Sequence, residues 1–250
     1  MNFSFSFLLE NSNSYLCVKS ANFRFTTINE EKFIKQTINT IFKTFPKCEL
    51  VIVDDNSKDN TVKIIRSFKK KNINLIQRKK VKGLASAFVV GMFNAKGKYI
   101  GWIDSNMDYV MRRFKKMEIL LDRGNDLILL SRYVPGGKDE RSFIRVFFSR
   151  ILNLFCRVFL TDKIKDYSSG IFLLKRDLLK EVVPLGYGYG EFFIEFILKI
   201  YESSYKIKEI PYIQRRDNPL GQSKTLPNLF QFFRLSIIYF LRVITIYLRK

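Results

Sequence analysis

The sequence predicts an α/β fold, an open, doubly wound, mostly parallel sheet flanked by helices. Apolar runs of strand length alternate with stretches of helical period, the runs are bulky throughout, and acidic clusters follow two of them. Uninterrupted apolar strands belong to a sheet covered on both faces. Strand–helix alternation implies right-handed crossover units. Sheets of this kind bind ligands beyond the carboxyl ends of their strands.

Leu50–Asp54, Ile73–Ile76, Tyr99–Asp104 and Asp126–Leu130 are the expected strands. Between them, Glu30–Phe45 carries Ile34, Ile38, Ile41 and Phe45 at helical spacing. Asp59–Lys70 reads as a helix with Asp59 as N-cap, and Leu84–Ala95 as the next. Beyond Arg132 the pattern changes. Arg141–Leu160 is a basic helix rich in Phe and Leu, followed by a loop and strand over Asp166–Leu174. A helix over Glu191–Tyr201, a strand over Lys206–Ile213 and an apolar, basic helix over Leu226–Lys250 complete the chain. No linker, repeat or low-complexity tract interrupts it. The expected organisation is one domain over residues 1–225 and a membrane-associated amphipathic helix over 226–250.

A chain of 250 residues can bury a sizeable core. Its 44 Lys+Arg against 23 Asp+Glu give a net charge of +21, which implies an anionic partner. The chain has no histidine, so His-based triads and the usual His metal sites are excluded. Cys17, Cys48 and Cys156 are unclustered and suggest neither a zinc site nor a disulfide framework. The amino end, "MNFSFSFLLENSNS", lacks a basic first segment and is interrupted by Glu10, unlike a signal peptide. No run of about 18 uncharged apolar residues occurs, so no transmembrane helix is expected.

The chemistry concentrates at strand ends. "VIVDDNSKDNT" places Asp54 and Asp55 where one strand runs out, and "GWIDSNMDY" does the same with Asp104, Asn106 and Asp108. A loop can turn alternating oxygens toward one hard cation, Mg²⁺ or Mn²⁺. The plainer alternative is a polar turn capping the next helix.

The order of motifs resembles the inverting family-2 glycosyltransferases of the GT-A fold, specifically the dolichyl-phosphate mannosyltransferase-like branch. "TTINEE", "VIVDDNSKDNT", "KGLASAFVVGMFNAKGKYIGWIDSNMD", "SRYVPGG", "DYSSGIFLLKRDLL", "IKEIPY" and "GQSK" follow in that family's order, from about Phe23 to Lys224. The resemblance implies transfer of a hexose from a GDP- or UDP-sugar to a polyprenyl phosphate, at the cytoplasmic face of a membrane. Thr26, Glu30, Val53 and Asp55 would line the nucleotide pocket, Asp55 accepting from the base. Asp104 would bind the metal, with Ser105, Asn106 and Asp108 beside it. Arg132, Arg145, Arg216 and Lys224 match the basic residues around donor diphosphate and acceptor phosphate, where cations must offset the repulsion between two anions. A lipid phosphate is already an ionised nucleophile, which suits a chain without histidine. Against the family pattern, Asn106 stands for an acid, Ile28 stands for Tyr, and "RRDNPLGQSK" is two residues longer than usual. Two alternatives stay open: a family-2 enzyme acting on a saccharide hydroxyl, for which Glu191 and Glu195 are the nearest bases, and a non-catalytic membrane-bound scaffold.

Two basic helices stand apart from these motifs. On Arg141–Leu160 the residues Arg141, Arg145, Ser149 and Asn153 share one side, while Phe147, Phe148, Ile151, Leu154, Phe155 and Val158 lie largely elsewhere. In the tail Gln231, Arg234, Arg242, Thr245 and Arg249 form a narrow polar stripe. Both patterns suit an in-plane helix on an anionic membrane surface. Nucleic acid is not the expected partner, because the cations accompany long apolar stripes and no nucleic-acid module is recognisable.

Overall fold

Bulky residues on successive strands have to find partners on both sides of the sheet, and the helices between the strands supply them. The computed structural model describes residues 2–9, 16–17, 21–24, 30–80, 83–102, 108–188, 190–216 and 229–249, with side chains from residue 30 onward except at 229–232. The strands are β1 (Asn2–Leu9), β2 (Leu16–Cys17), β3 (Ala21–Arg24), β4 (Glu49–Asp54), β5 (Ile73–Gln77), β6 (Tyr99–Trp102), β7 (Leu127–Ser131), β8 (Lys138–Asp139), β9 (Phe172–Lys175), β10 (Ile207–Pro211) and β11 (Ile213–Gln214). The helices are α1 (Glu31–Thr44), α2 (Thr61–Ser67), α3 (Leu84–Asn94), α4 (Met111–Asp122), α5 (Phe143–Phe159), α6 (Phe192–Glu202) and α7 (Leu229–Tyr247).

The main sheet runs β10-β7-β9-β6-β1-β3-β4-β5, with β2 beside β1. β1 is antiparallel to β3, β4 and β6, and β9 is antiparallel to β6 and β7. Since β3, β4 and β5 pair in parallel, as do β7 and β10, six strands point one way and end on one edge. β8 and β11 form a separate parallel pair beyond that edge.

Strand alternation divides the interior into two cores. Leu50 and Ile52 of β4, Ile128 and Leu130 of β7 and Leu173 of β9 join Ile34, Ile38 and Ile41 of α1 and Phe114 and Met117 of α4. The alternate residues, Leu127 and Leu129 of β7 and Phe172 and Leu174 of β9, face α3, α5, α6 and α7. Phe88 of α3 centres this second core, its ring 4.4 Å from Trp102 and 4.8 Å from Phe192. α7 lends it Val243 and Ile246, so the inner face of the tail helix is part of the fold.

The structure differs from expectation in three places. β1 was assigned to no element, although "NFSFSF" alternates with the period of a strand. α2 begins at Thr61, and Asp59 precedes its cap. The Asp59 carboxylate accepts from the Thr61 amide at 3.0 Å and the Glu31 amide at 3.2 Å, clasping the starts of α1 and α2 together. β6 ends at Trp102, and residues 103–104 of the expected strand lie outside the described residues, as do 226–228 and 250 of the tail.

Glu118 of α4 is buried in the first core side, with neither carboxylate oxygen hydrogen-bonded. Burial pushes its pKa up to about 8; Asp122 adds to the rise, and Lys98 and Lys115 oppose it. A carboxyl raised in the folded state stabilises most below its unfolded pKa, and that stability drains away as pH rises toward 8, by about 1.4 kcal/mol per pH unit. Glu118→Gln removes the drain. Its melting temperature should match the parent at pH 4 and exceed it by roughly 10 °C at pH 8. An equal increment at both pH values would show that Glu118 does not titrate there.

Candidate functional site

At the end of β4 the two adjacent carboxylates part company. Asp54 turns inward, fully buried, and accepts from the Ser57 amide at 3.1 Å and from the Ser57 hydroxyl. It fastens a turn in which Asn56 takes a left-handed φ of 67°. Asp55 faces β5. In the parallel register Asp54 pairs with Gln77, so Arg78 emerges opposite Asp55. Its Nε and Nη2 donate to the two Asp55 oxygens at 2.6 and 2.7 Å, a bidentate pair. Gly83, at φ 125°, adds its amide to Asp55 at 2.9 Å, and Arg78 also reaches the Ser86 hydroxyl at 2.9 Å. One guanidinium thus joins the ends of β4 and β5 to the start of α3. Arg78 escaped the sequence reading. Its position one residue past the neighbouring strand was the available signal.

Val53, expected in the nucleotide pocket, is wholly buried against Ala87 of α3, so its side chain is core and only its backbone borders the site. Glu30 is the N-cap residue of α1, half-buried, with its amide donating to Thr61 Oγ1 at 3.0 Å. Thr26 and Ile28 lie outside the described residues, as do Asp104, Ser105 and Asn106. Segment 103–107, which holds the expected metal ligands, is nonetheless bracketed by described residues. On one side stands buried Trp102. On the other, Asp108 Oδ2 accepts from Gln36 Nε2 at 3.0 Å and Thr40 Oγ1 at 3.3 Å. Asp108, expected beside the metal, is therefore tied to α1.

At the end of β7, Arg132 is drawn into the protein. Expected to face bound anions, it is 4% exposed and enclosed by carboxylates. Its Nε and Nη2 donate to Asp166 at 2.8 and 2.7 Å, its amide to Asp166 at 2.9 Å, Nη2 to Ser168 at 2.8 Å, and Nη1 to Asp139 at 3.4 Å. Burial alone would lower its pKa, but Asp166 holds it well above the ordinary value. Asp139 shows the reverse balance: burial would raise it, and the hydrogen bond from Arg141 brings it below the usual carboxylate range. Arg141 holds Asp139 at 2.6 and 2.8 Å. Gly137 is obligatory here, because a Cβ would sit 2.7 Å from the Arg132 carbonyl.

The network reaches into α5. Ser149 accepts from the Tyr133 hydroxyl at 2.9 Å, and Asn153 donates to Ser168 at 2.9 Å and accepts from the Tyr167 amide at 2.6 Å. The polar side of α5 therefore points inward. Above the network lies a cleft of about 830 Å³ lined by Lys138, Asp139, Glu140, Arg141, Ser142, Phe143 and Arg216. Arg216 is exposed at its wall, Arg145 is half-buried in the first turn of α5, and Lys224 lies outside the described residues.

The sequence model of the family described as Glycosyl transferase family 2 matches residues 25–183. The chain belongs to that family. Among similar proteins, the dolichol-phosphate mannosyltransferase of Pyrococcus furiosus is 29% identical over 219 residues, covering 83% of this chain. The dolichyl-phosphate beta-glucosyltransferase of Dictyostelium discoideum is 29% identical over 147 residues, covering 54%. This chain spans 60% and 45% of the lengths of those two relatives. Glucosyl-3-phosphoglycerate synthase from Mycobacterium tuberculosis, crystallised with uridine diphosphate, superposes with a TM-score of 0.64 at 16% identity, over 88% of this chain and 76% of that one. The same synthase with Mn²⁺, uridine diphosphate and glucosyl-3-phosphoglycerate gives 0.63 at 18% identity, over 88% and 76%. Likeness at that identity shows a shared fold.

In this family-2 chain the two arginines at strand ends, Arg78 and Arg132, are structural ion-pair partners, whereas Arg216 stands at the surface. Arg132→Gln should therefore lower stability by about 3 kcal/mol by leaving Asp166 buried without its countercharge. Arg216→Gln should stay within about 0.5 kcal/mol of the parent. Denaturant unfolding measures both, and equal losses would refute the distinction.

Proposed function

We propose that this chain transfers a sugar, with inversion, from a nucleotide-sugar donor to a polyprenyl phosphate at the cytoplasmic face of a membrane. Two similar proteins carry dolichol or dolichyl phosphate in their names, and the observation that carries the reading is the inverted polarity of α5 and α7. Ser149 and Asn153 of α5 face the buried network, while Phe143, Phe147, Ile151, Leu154 and Val158 are exposed. In α7, Arg242 turns inward to Glu195 at 2.6 Å and over the Tyr187 ring at 5.2 Å, while Ile237, Leu241, Ile244 and Leu248 are exposed. The polar stripe expected to meet headgroups is thus partly spent inside the protein. The outward stripe on each helix is apolar. Among the described residues no helix is long and apolar enough to cross a membrane.

These two stripes form one surface. Phe148 meets Phe233, Phe155 meets Phe240, and Phe159 meets Tyr247, so α5 and α7 run side by side in the same direction. On α5 the residues Phe147, Ile151, Leu154 and Val158 precede a contact residue by one or four positions. On α7 the residues Ile237, Leu241, Ile244 and Leu248 follow one by one or four. At about 100° per residue, opposite rotations on two facing helices bring both stripes to the same side. Arg150 and Arg157 of α5 and Arg234 of α7 are exposed on the pair. A surface both apolar and cationic suits the interface of an anionic bilayer.

In the reaction, a phosphate oxygen of the acceptor attacks the anomeric carbon as the bond to the donor diphosphate breaks and the nucleoside diphosphate leaves. The attacking oxygen is already anionic and needs no general base. Asp55, oriented by Arg78 and the Gly83 amide, would accept from the base. Lys138, Arg141 and Arg216 would offset the acceptor's charge in the cleft. Asp104 and Asn106 offer hard oxygen donors that fit Mg²⁺ or Mn²⁺, on a loop anchored by Trp102 and Asp108, with Ser105 between them. They would hold the ion, whose positive charge stabilises the leaving diphosphate. The saccharide alternative fits less well. Glu195 is engaged by Arg242 at 2.6 Å, Lys199 at 3.2 Å and Arg249 at 3.7 Å, so it is poorly placed to take a proton.

The deciding experiment incubates the protein with Mn²⁺, polyprenyl phosphate and a panel of labelled UDP- and GDP-sugars. Labelled lipid with inverted anomeric configuration is expected, and label reaching only a saccharide acceptor would overturn the reading. Asp104→Ala should abolish that transfer with an unchanged melting temperature; wild-type turnover in the variant removes Asp104 from the site. Ile237→Ser with Leu241→Ser should weaken binding to anionic vesicles roughly tenfold, since each side chain loses its apolar burial in the bilayer. Unchanged vesicle binding would show that α7 does not face lipid.

A further inference from the structure

We propose that the first isoprene units of the acceptor lipid lie along Phe143 and Phe147 of α5, while the outer stripe of α7 serves only to immerse the protein in the bilayer. The inference rests on the reading above that the acceptor is a polyprenyl phosphate, and assigns its hydrocarbon a place. Among the described residues lining the cationic cleft, Phe143 is the one large apolar side chain. It is also the first member of the outer stripe of α5 and is 82% exposed. The same ring therefore borders the cleft that suits a phosphate and the surface that suits a hydrocarbon.

From Phe143 the track continues without a polar break. The Phe143 and Phe147 rings stack with centroids 6.1 Å apart and planes inclined by 22°, and Ile151, Leu154 and Val158 follow on the same edge. The step from Phe143 to Phe147 advances about 6 Å along the helix axis. A flat pair of rings lying end to end in this way offers a methyl-branched, unsaturated chain a continuous contact. The charge at the near end is right for a phosphate: Lys138, Arg141 and Arg216 stand against Asp139 and Glu140. Part of that charge is compensated, Lys138 by Glu140 at 2.7 Å and Arg141 by Asp139 at 2.6 Å, and Arg216 completes the cationic excess. No described side chain of α7 lines the cleft, so its stripe has no such junction with charge. A membrane surface and a lipid track are thus separable functions of two adjacent helices.

The test uses the full chain in detergent micelles, where bilayer partition no longer limits the reaction. Phe143→Ser with Phe147→Ser should raise KM for a long polyprenyl phosphate about tenfold, leaving kcat, nucleotide-sugar affinity and melting temperature near the parent values. KM for a one-unit prenyl phosphate should change far less. The control, Ile237→Ser with Leu241→Ser, should bind vesicles more weakly yet keep its KM in detergent. An unchanged KM in the Phe variant, or an equal rise in the control, overturns the proposal. If the parent transfers no sugar to any lipid phosphate, the reading of the acceptor fails, and the track is judged separately with a diazirine-bearing polyprenyl phosphate. Photolabel on the peptide spanning residues 143–151, lost in the double Phe variant, supports it; label elsewhere on the protein refutes it.

Discussion

Every strand of the central sheet that bears described side chains and lies inside it delivers alternate residues to two separate cores, and this double coverage governs where anything polar can act. Leu50 and Ile52 go one way, Val51 and Val53 the other, all of them fully buried. No ligand reaches the faces of such a sheet. Chemistry is confined to the edge where the six like-directed strands end, and there the chain places Asp55, Arg78, the anchors of the 103–107 loop and Arg132. Burying charge at that edge is costly unless each ion is paired and hydrogen-bonded. The bidentate pairs of Arg78 with Asp55 and Arg132 with Asp166 meet that requirement, and each also ties together segments distant in sequence.

The same constraint explains the odd polarity of α5. The helix covers the end of β7, where the Arg132 network needs partners, so Ser149 and Asn153 must face inward. With its polar groups drawn in, the helix has apolar residues left for its outer edge. α7 repeats the arrangement for a different carboxylate, Glu195 of α6, drawing Arg242 inward. Two neighbouring helices thus acquire a shared apolar exterior from internal electrostatic needs.

Much of this was legible from the sequence, because parallel-sheet periodicity is a strong signal: Glu49–Asp54, Leu127–Ser131 and Glu31–Thr44 fall within a residue or so of where pattern alone put them. The strand ends carrying Asp55 and Arg132 were legible for the same reason. What a carboxylate or guanidinium faces was not. Arg132 read as a cation for anions because Asp166 and Asp139 are remote in sequence and only the fold brings them to it. Asp108 read as part of an alternating triplet, yet Gln36 and Thr40 of α1 hold it. The Phe/Ser alternation of β1 is plain, but a terminal apolar run resembles a leader as much as a strand, and only its pairing with β3, β4 and β6 distinguishes the two. For α5 the sequence showed two faces correctly. Which one was inside could not be read from the helix itself, because that depends on the polarity of the neighbour.

Glu195 carries a consequence for how the molecule comes into being. Its closest countercharge, Arg242, lies on α7, so a ribosome that has produced α6 leaves Glu195 with only the half-exposed Lys199 of its own helix as a partner. The second core is equally unfinished until Val243 and Ile246 arrive. Long-range contacts of this kind form late, after the loop between them has closed. The apolar exterior of α5 and α7 is therefore assembled only once α7 is made, and a nascent chain lacks the complete surface throughout the synthesis of residues 160–228. Synthesis of α7 acts as a timer, delaying the appearance of the joint apolar surface until the sheet and α6 have already been made.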